Sequence, residues 1–501
     1  MSEIAHDADW QRLDPRMLLV HPIKELFRFL PVIIGLFLAG TASGGEQPWE
    51  YFGIAIPIGL GLLRYLTTRF RISAGRVELR RGLLNTHVLS TPLDRVRTVD
   101  LTSSPIHRLL GLTTVRIGTG TAATSGDEQL DLDGLPLARA RELREELLHR
   151  VGASPVDEIE VPAERVVVRF SPRWLVYAPL TSAGLVIAAG LFGVGSQILN
   201  SLDLWDRVDE APMVGEGQPW WLIAPLAVVG FAILVSALSV LGYLVTNGGF
   251  VLSNRAGAWH LRRGLITTRE TSIDVDRVRG VSIGAPLGLR LAGARRLSAI
   301  VTGLDHEQTS AVLVPPAPSS VVTSVTAEIL GRTSPVAAPL VGHGPRARTR
   351  RFTRALVPAL GVSGVLIGLI VFLEVPRWFL VLAAAVPLLA LALALDRWRS
   401  LGHTLVDGWL VVRSGSINQH HAVLEAEGII GWNLRASLFQ RRAGLTTVVA
   451  TTAGGKQSYA ALDVPEGLAV ALTDRAVPGL VSQFLDRRSS PATSPGEQDE
   501  A

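Results

Sequence analysis

The chain has 501 residues, of which 48% are hydrophobic, only 18% charged and 6% aromatic, and its mean hydropathy is +0.33. Soluble domains carry about 25% charged residues, so the deficit excludes a disordered chain, a basic nucleic-acid arm and an ordinary cytosolic globule, and points to a chain partly in lipid. The 48 Lys+Arg against 44 Asp+Glu leave a net charge of +4, and the lack of cysteine excludes disulfides, thiolate catalysis and cysteine-held metals.

Six apolar segments follow in chain order, over 27–41, 49–66, 174–195, 220–245, 355–373 and 378–395. A spanning helix needs about 20 mainly apolar residues. The segments pair into hairpins through links at 42–48, 196–219 and 374–377, whose only basic residues are Arg207 and Arg377. The opposite flanks are rich in arginine: Arg12, Arg16 and Arg28 with Lys24, then Arg69, Arg71, Arg76, Arg80 and Arg81, and later Arg346, Arg348, Arg350, Arg351, Arg354, Arg397 and Arg399. The positive-inside rule then predicts a multi-pass protein of the cytoplasmic membrane with both termini and every large polar region in the cytoplasm. Trp49, Trp174, Trp220, Trp221, Trp378 and Trp398 stand at segment ends, where interfacial anchors are expected. Residues before Phe27 are too polar for a cleaved signal peptide.

The polar regions repeat. A shift of 182 carries Arg80-Arg81-Gly82-Leu83-Leu84 onto Arg262-Arg263-Gly264-Leu265-Ile266, and Asp94-Arg95-Val96-Arg97 onto Asp276-Arg277-Val278-Arg279. A shift of 333 carries Gly111-Leu112-Thr113-Thr114-Val115 onto Gly444-Leu445-Thr446-Thr447-Val448, and Arg108, which the shift of 182 carries to Arg290, onto Arg441. The unit is therefore a helical hairpin followed by a cytoplasmic module, used three times. Inside a module the period is two: Arg76–Arg80, Val96–Leu101, Val115–Thr119, Val251-Leu252 and Leu410–Arg413 read as strands. Leu135-Pro136, Val314-Pro315 and Val464-Pro465 each precede a predicted closing helix, with proline in its first turn.

The predicted parts are an N-terminal cytoplasmic segment (1–26), hairpin 1 (27–66), module 1 (67–152), hairpin 2 with its lead-in (164–246), module 2 (247–331), hairpin 3 with its basic lead-in (346–396), module 3 (397–486) and a Ser/Pro/Glu-rich disordered tail (487–501).

These residues resemble the bacterial membrane-anchored pleckstrin-homology-like (PH-like) family, the YdbS/YdbT-like proteins. Arg71-Ile72-Ser73, Val77 through Leu83, Pro92 through Val96, and Pro105 through Thr114 carry the resemblance. Module 2 keeps Leu261-Arg262-Arg263-Gly264 and Val275-Asp276-Arg277-Val278, whereas module 3 has Arg413-Ser414-Gly415 and Glu427-Gly428-Ile429 in their places. The resemblance implies, for each module, a strongly bent antiparallel sheet with a C-terminal capping helix. It implies no activity.

No phosphate-binding or dinucleotide motif appears, and no His-x-x-x-His metal spacing. Gly118–Gly120 reads as a turn, His420-His421 as a surface pair on opposite strand faces, and Asp131 with Asp133 as a solvated approach to the turn at Gly134. No ionisable residue lies deep in an apolar segment, which argues against an ion-coupled transporter. The repeated arginines Arg80, Arg81, Arg108, Arg262, Arg263, Arg290 and Arg441 are candidates for contact with anionic headgroups. Structural pairing is the competing role for such arginines. The expectation is a non-enzymatic, cofactor-free and metal-free interaction platform, partnered by membrane lipids and by proteins or further copies of itself, with no nucleic acid. The alternative is a transport or envelope-protection component that expels or excludes an apolar or peptide toxin.

Overall fold

The computed structural model describes residues 10–42, 49–73, 76–81, 87–92, 98–118, 130–149, 164–181, 183–201, 220–255, 257–302, 311–332, 334–373 and 376–478. The chain forms two compact units: Met1–Val278 with Ala285–Ile329, and Arg279–Gly284 with Leu330–Ala501.

The first unit begins with a short strand, β1 (Gln11–Arg12), and two helices packed on each other, α1 (Met17–Ala42) and α2 (Trp49–Thr67). Helix α1 starts well before the apolar run at Phe27. Its first turns are not a separate tail, because Met17 and Val20 are fully buried in the module that follows. That module is built from β2 (Arg69–Ser73), β3 (Arg76–Arg81), β4 (His87–Pro92), β5 (Thr98–Ser103), α3 (Pro105–Leu110), β6 (Leu112–Gly118), β7 (Leu130–Pro136) and α4 (Leu137–His149). The strand period of two puts Phe70, Val77 and Leu79 inward from β2 and β3, and Val99, Leu101, Val115, Ile117 and Leu132 inward from β5, β6 and β7. Ala140 and Leu143 of α4 close this single core, as a capping helix should.

Next come β8 (Arg165–Arg169), a 3-10 helix (Pro172–Leu180), α5 (Ala183–Ser201), α6 (Trp220–Asn247), β9 (Val251–Arg255), β10 (Ala258–Arg263), β11 (Thr268–Asp274), β12 (Val278–Pro286), α7 (Leu287–Leu291), β13 (Ala294–Val301), β14 (Ala311–Pro318) and α8 (Ser319–Leu330). Two expectations are corrected here. The apolar segment expected from Trp174 becomes α-helical only at Ala183, and Trp174 is 3% exposed rather than an interfacial anchor. Its ring packs against Phe170 and Phe250, and Phe170 in turn meets Tyr243. Val314-Pro315 lies inside β14, so the counterpart of Pro136 and Pro465 is Pro318, which opposes Ala294 as Pro136 opposes Leu112. Each of these prolines ends a strand where no ladder bond calls for its missing N–H, because the next residue donates instead: Leu137, Ser319 and Glu466 to the carbonyls of Gly111, Gly293 and Gly444.

The first unit holds a four-stranded sheet, β1-β2-β3-β4, and a seven-stranded sheet, β7-β6-β5-β11-β10-β9-β8. The second sheet joins the later strands of module 1 to the earlier strands of module 2. The modules therefore share sheets, where a separate sheet for each was expected.

The second unit contains α9 (Ser334–Ala337), α10 (Gly344–Phe372), α11 (Phe379–Arg399), β15 (Gly402–Val406), β16 (Trp409–Ser414), β17 (Asn418–Glu425), β18 (Ile429–Arg435), α12 (Leu438–Arg442), β19 (Leu445–Thr452), β20 (Ser458–Pro465) and α13 (Glu466–Ala476). The central residues of β12 lie beside β17, and β18-β19-β20 form a sheet of their own. Among the described residues, 225–247 of α6, α10 and α11 are long and apolar enough to cross a membrane. Phe231, Ile233, Val365 and Leu388 on these helices are exposed, an apolar surface that suits lipid.

Gly280 of β12 sits where two backbones nearly touch. Its φ is 151°, and a Cβ there would collide with the carbonyl oxygen of Val423. Gly280→Ala is expected to lower stability by about 2 kcal/mol or more. Thermal unfolding of the detergent-purified protein, with faster amide exchange over β17, is the measurement.

Candidate functional site: buried clamps, strand joints and a basic cleft

Asp133 is in strand β7 and does not form the solvated turn expected. Oδ2 accepts from Lys24 Nζ of α1 at 3.0 Å, and Oδ1 accepts from His107 Nε2 at 3.1 Å and from Thr114 Oγ1. Burial pushes this carboxyl up, but the hydrogen bonds from His107 and Thr114 and the Lys24 charge outweigh it. They hold the carboxyl far below the usual carboxylate range. His107 is itself buried, and its Nδ1 lies 2.5 Å from Oγ of Ser104, the N-cap of α3. The carboxylate thus ties the hairpin helix α1, the short helix α3 and strands β6 and β7 together. Asp131, two residues away, pairs instead with Arg116 at 2.9 Å.

Module 3 builds the same clamp from other residues. Asp463 is wholly buried in β20, with a left-handed φ of 58°. Oδ1 accepts from Arg350 Nη1 at 2.5 Å and from Gln440 Nε2 at 2.8 Å; Arg351 Nη2 lies 2.6 Å from Oδ2, an ion pair off the hydrogen-bonding line. Both arginines belong to α10. Gln440 is the repeat counterpart of His107, and it closes a capping box with Ser437. Beside the clamp, His343 Nδ1 donates to the Leu462 carbonyl at 2.8 Å, so its Nε2 accepts from His403 Nδ1 at 2.9 Å. Burial and its neighbour push His403 down to about 4, and burial pushes His343 down as well. The sequence shows no trace of this pair, because the two residues are 60 positions apart. Module 2 has no such carboxylate among the described contacts. There Tyr243 Oη of α6 donates to the Pro316 carbonyl at 2.8 Å.

The candidate arginines divide. Arg108 Nη1 donates to the Leu265 carbonyl at 2.9 Å, pinning α3 to the turn before β11. Arg263 is half-buried between Arg269 and Asp100; burial, then the Arg269 charge, push its guanidinium down. Asp100 hydrogen-bonds Thr271 across the β5–β11 joint, and burial pushes its carboxyl up. Arg262 is exposed, 3.8 Å from Glu270, which also binds Arg144 of α4 at 3.2 Å. Arg80 and Arg441 are exposed, and Arg290 is half-buried. The Arg81 side chain and the Asp94-Arg95-Val96-Arg97 stretch lie outside the described residues. Arg277 is buried with Nε 3.7 Å from Asp274. His420 and His421 are half-buried in β17, and no group of three His, Asp or Glu among the described residues could hold a metal ion.

A cleft of about 480 Å³ opens where the start of α10 meets the end of α11. Arg348, Arg399 and Arg413 line it with Trp398 and His343. The Arg348 guanidinium lies 5.1 Å from the Trp398 ring centre, and Arg413 donates to the Arg399 and Ser400 carbonyls.

The model of the bacterial PH domain family matches residues 25–151 and 355–474. The chain is a bacterial PH-domain protein. Each matched segment takes in most of a helical hairpin and the module after it. No curated protein and no solved structure matches the chain. The middle module lies outside the matched segments, and its kinship rests on the 182-residue shift.

Two predictions follow from the clamps of this PH-domain protein. Asp463→Asn leaves two largely buried arginines without a counter-charge and is expected to cost about 3–5 kcal/mol, read as a fall in melting temperature. The His343–His403 pair must stay neutral to remain buried. Its contribution is complete above the ordinary histidine value of about 6.5 and is lost as pH falls toward about 4. His403→Gln is expected to flatten the stability profile in that window while leaving pH 8 little changed in slope.

Proposed function

We propose that this protein is a non-enzymatic platform on the inner face of the cytoplasmic membrane, with PH modules held at a fixed attitude beneath their hairpins and in contact with anionic headgroups. The observation that carries this reading is the use of the buried ionisable groups. Asp133, His107, Asp463 and the His343–His403 pair all serve to lock helices onto strands, so none is free to act on a substrate. The division into hairpins and modules given by the repeats supports the same reading.

The lipid contact is assigned to the exposed arginines: Arg348 and Arg399 at the cleft, and Arg80 and Arg262 on the strands. An ammonium or guanidinium near an anionic surface is worth about 1 kcal/mol. Arg suits phosphate because its planar fork donates two parallel hydrogen bonds. Trp398 adds an amphipathic ring of the kind that settles at headgroup level.

The test uses the full chain in nonionic detergent. Binding of short-chain phosphatidylglycerol and phosphatidylcholine is measured by native mass spectrometry. Phosphatidylglycerol is expected to bind more tightly, and Arg348→Gln with Arg399→Gln to weaken it on the order of ten-fold or more, with the preference fading in salt. Equal retention of both lipids by the natural and altered proteins overturns the assignment.

A further inference from the structure

The two joints between repeats use the same strands in the same register. In the first, β5 runs antiparallel to β11, with Val99 opposite Ser272, Asp100 opposite Thr271 and Leu101 opposite Glu270. The next step of that register sets Thr98 against Ile273. A shift of 182 carries Thr98 to Gly280, and a shift of 151 carries Ile273 to Leu424. Gly280 and Leu424 touch in the second joint, and beside them Arg279 Nη1 binds Glu425 at 2.8 Å. One repeat therefore offers its β5-type strand, and the next accepts it along its β11-type strand.

Two such strands are left over. The β11-type strand of module 1 is β4, and the β5-type strand of module 3 is β18. Among the described residues β4 bonds only to β3, and β18 only to β19. Each carries a row of backbone N–H and C=O groups with no neighbouring strand, the usual template for adding another chain.

We infer that a second copy of this chain fills both edges, with β18 of one copy adding antiparallel to β4 of the next. The register of the first joint, carried by the same shifts, sets Val88 opposite Leu434, Leu89 opposite Asn433 and Ser90 opposite Trp432. Val88 is 54% exposed and Leu434 is 44% exposed, so the joint buries two apolar side chains against each other. Arg441 supplies an independent sign. Its counterpart Arg108 donates across a joint to Leu265, whereas the Arg441 guanidinium is exposed and has no hydrogen bond or ion pair among the described residues. The contact is heterologous, so copies join head to tail and either close into a ring or extend. This goes beyond the lipid reading and does not rest on it.

The chain has no cysteine, so introduced pairs report without background. Full-length chains carrying Val88→Cys and Leu434→Cys, each with a different tag, are expressed in the same membranes and mildly oxidised. Directly opposed residues in an antiparallel pair have Cα atoms about 4.5–5.5 Å apart, within disulfide reach. A dimer holding both tags is expected, in several-fold higher yield than for Val88→Cys with Trp432→Cys, which is out of register. Leu434→Lys is expected to reduce the mass measured by light scattering in detergent, with an unchanged melting temperature. Absence of the mixed dimer, equal yields at both registers, or a Val88→Cys dimer forming alone overturns the inference, provided each variant melts as the natural protein does.

Discussion

An edge strand has backbone donors and acceptors on one side with nothing to bond, and this constraint organises the chain. Each repeat divides its strands between two half-sheets and so has two such edges. Where a neighbour follows, it supplies the missing strand: β5 lies against β11, and the centre of β12 against β17. Residues that look unrelated in sequence serve this one need. Gly280 lets two backbones close up, Asp100 and Thr271 bond across the seam, and Arg108 caps it from the side.

A second constraint acts at right angles to the first. Each helical hairpin must be held to the sheet that follows it. In the outer repeats a buried carboxylate does this, with cations from the hairpin helix on one side and the α3- or α12-side residue on the other. A buried ion pair adds little net stability over apolar packing, but breaking one is costly, so it fixes where helix meets strand. The middle repeat reaches the same end with Tyr243 and a group of packed aromatic rings. The position is shared while the chemistry differs.

These two constraints reassign the arginines. A count along the sequence treats Arg108, Arg263 and Arg441 alike, since all are repeated or near-repeated basic residues. In the fold Arg108 and Arg263 belong to the joint between modules, and Arg441 occupies the place of a joint with no neighbouring module. The basic groups gathered around open space are instead Arg348, Arg399 and Arg413, beside Trp398.

The sequence by itself determined the apolar helices and the strand period, because apolar run length and alternation are properties of neighbouring residues, and its fixed shifts carry the three-fold repetition. It placed β3 and β16 and the closing helices of modules 1 and 3 well. It misplaced the start of α5 and the proline of module 2, since a 3-10 turn and a strand carrying Pro315 both depend on what packs beside them. Tertiary structure alone decided that Asp133 is buried, that His343 meets His403, and that strands pair between repeats. Those contacts join residues tens to more than a hundred positions apart, and their energy comes from excluding water, which no local pattern records.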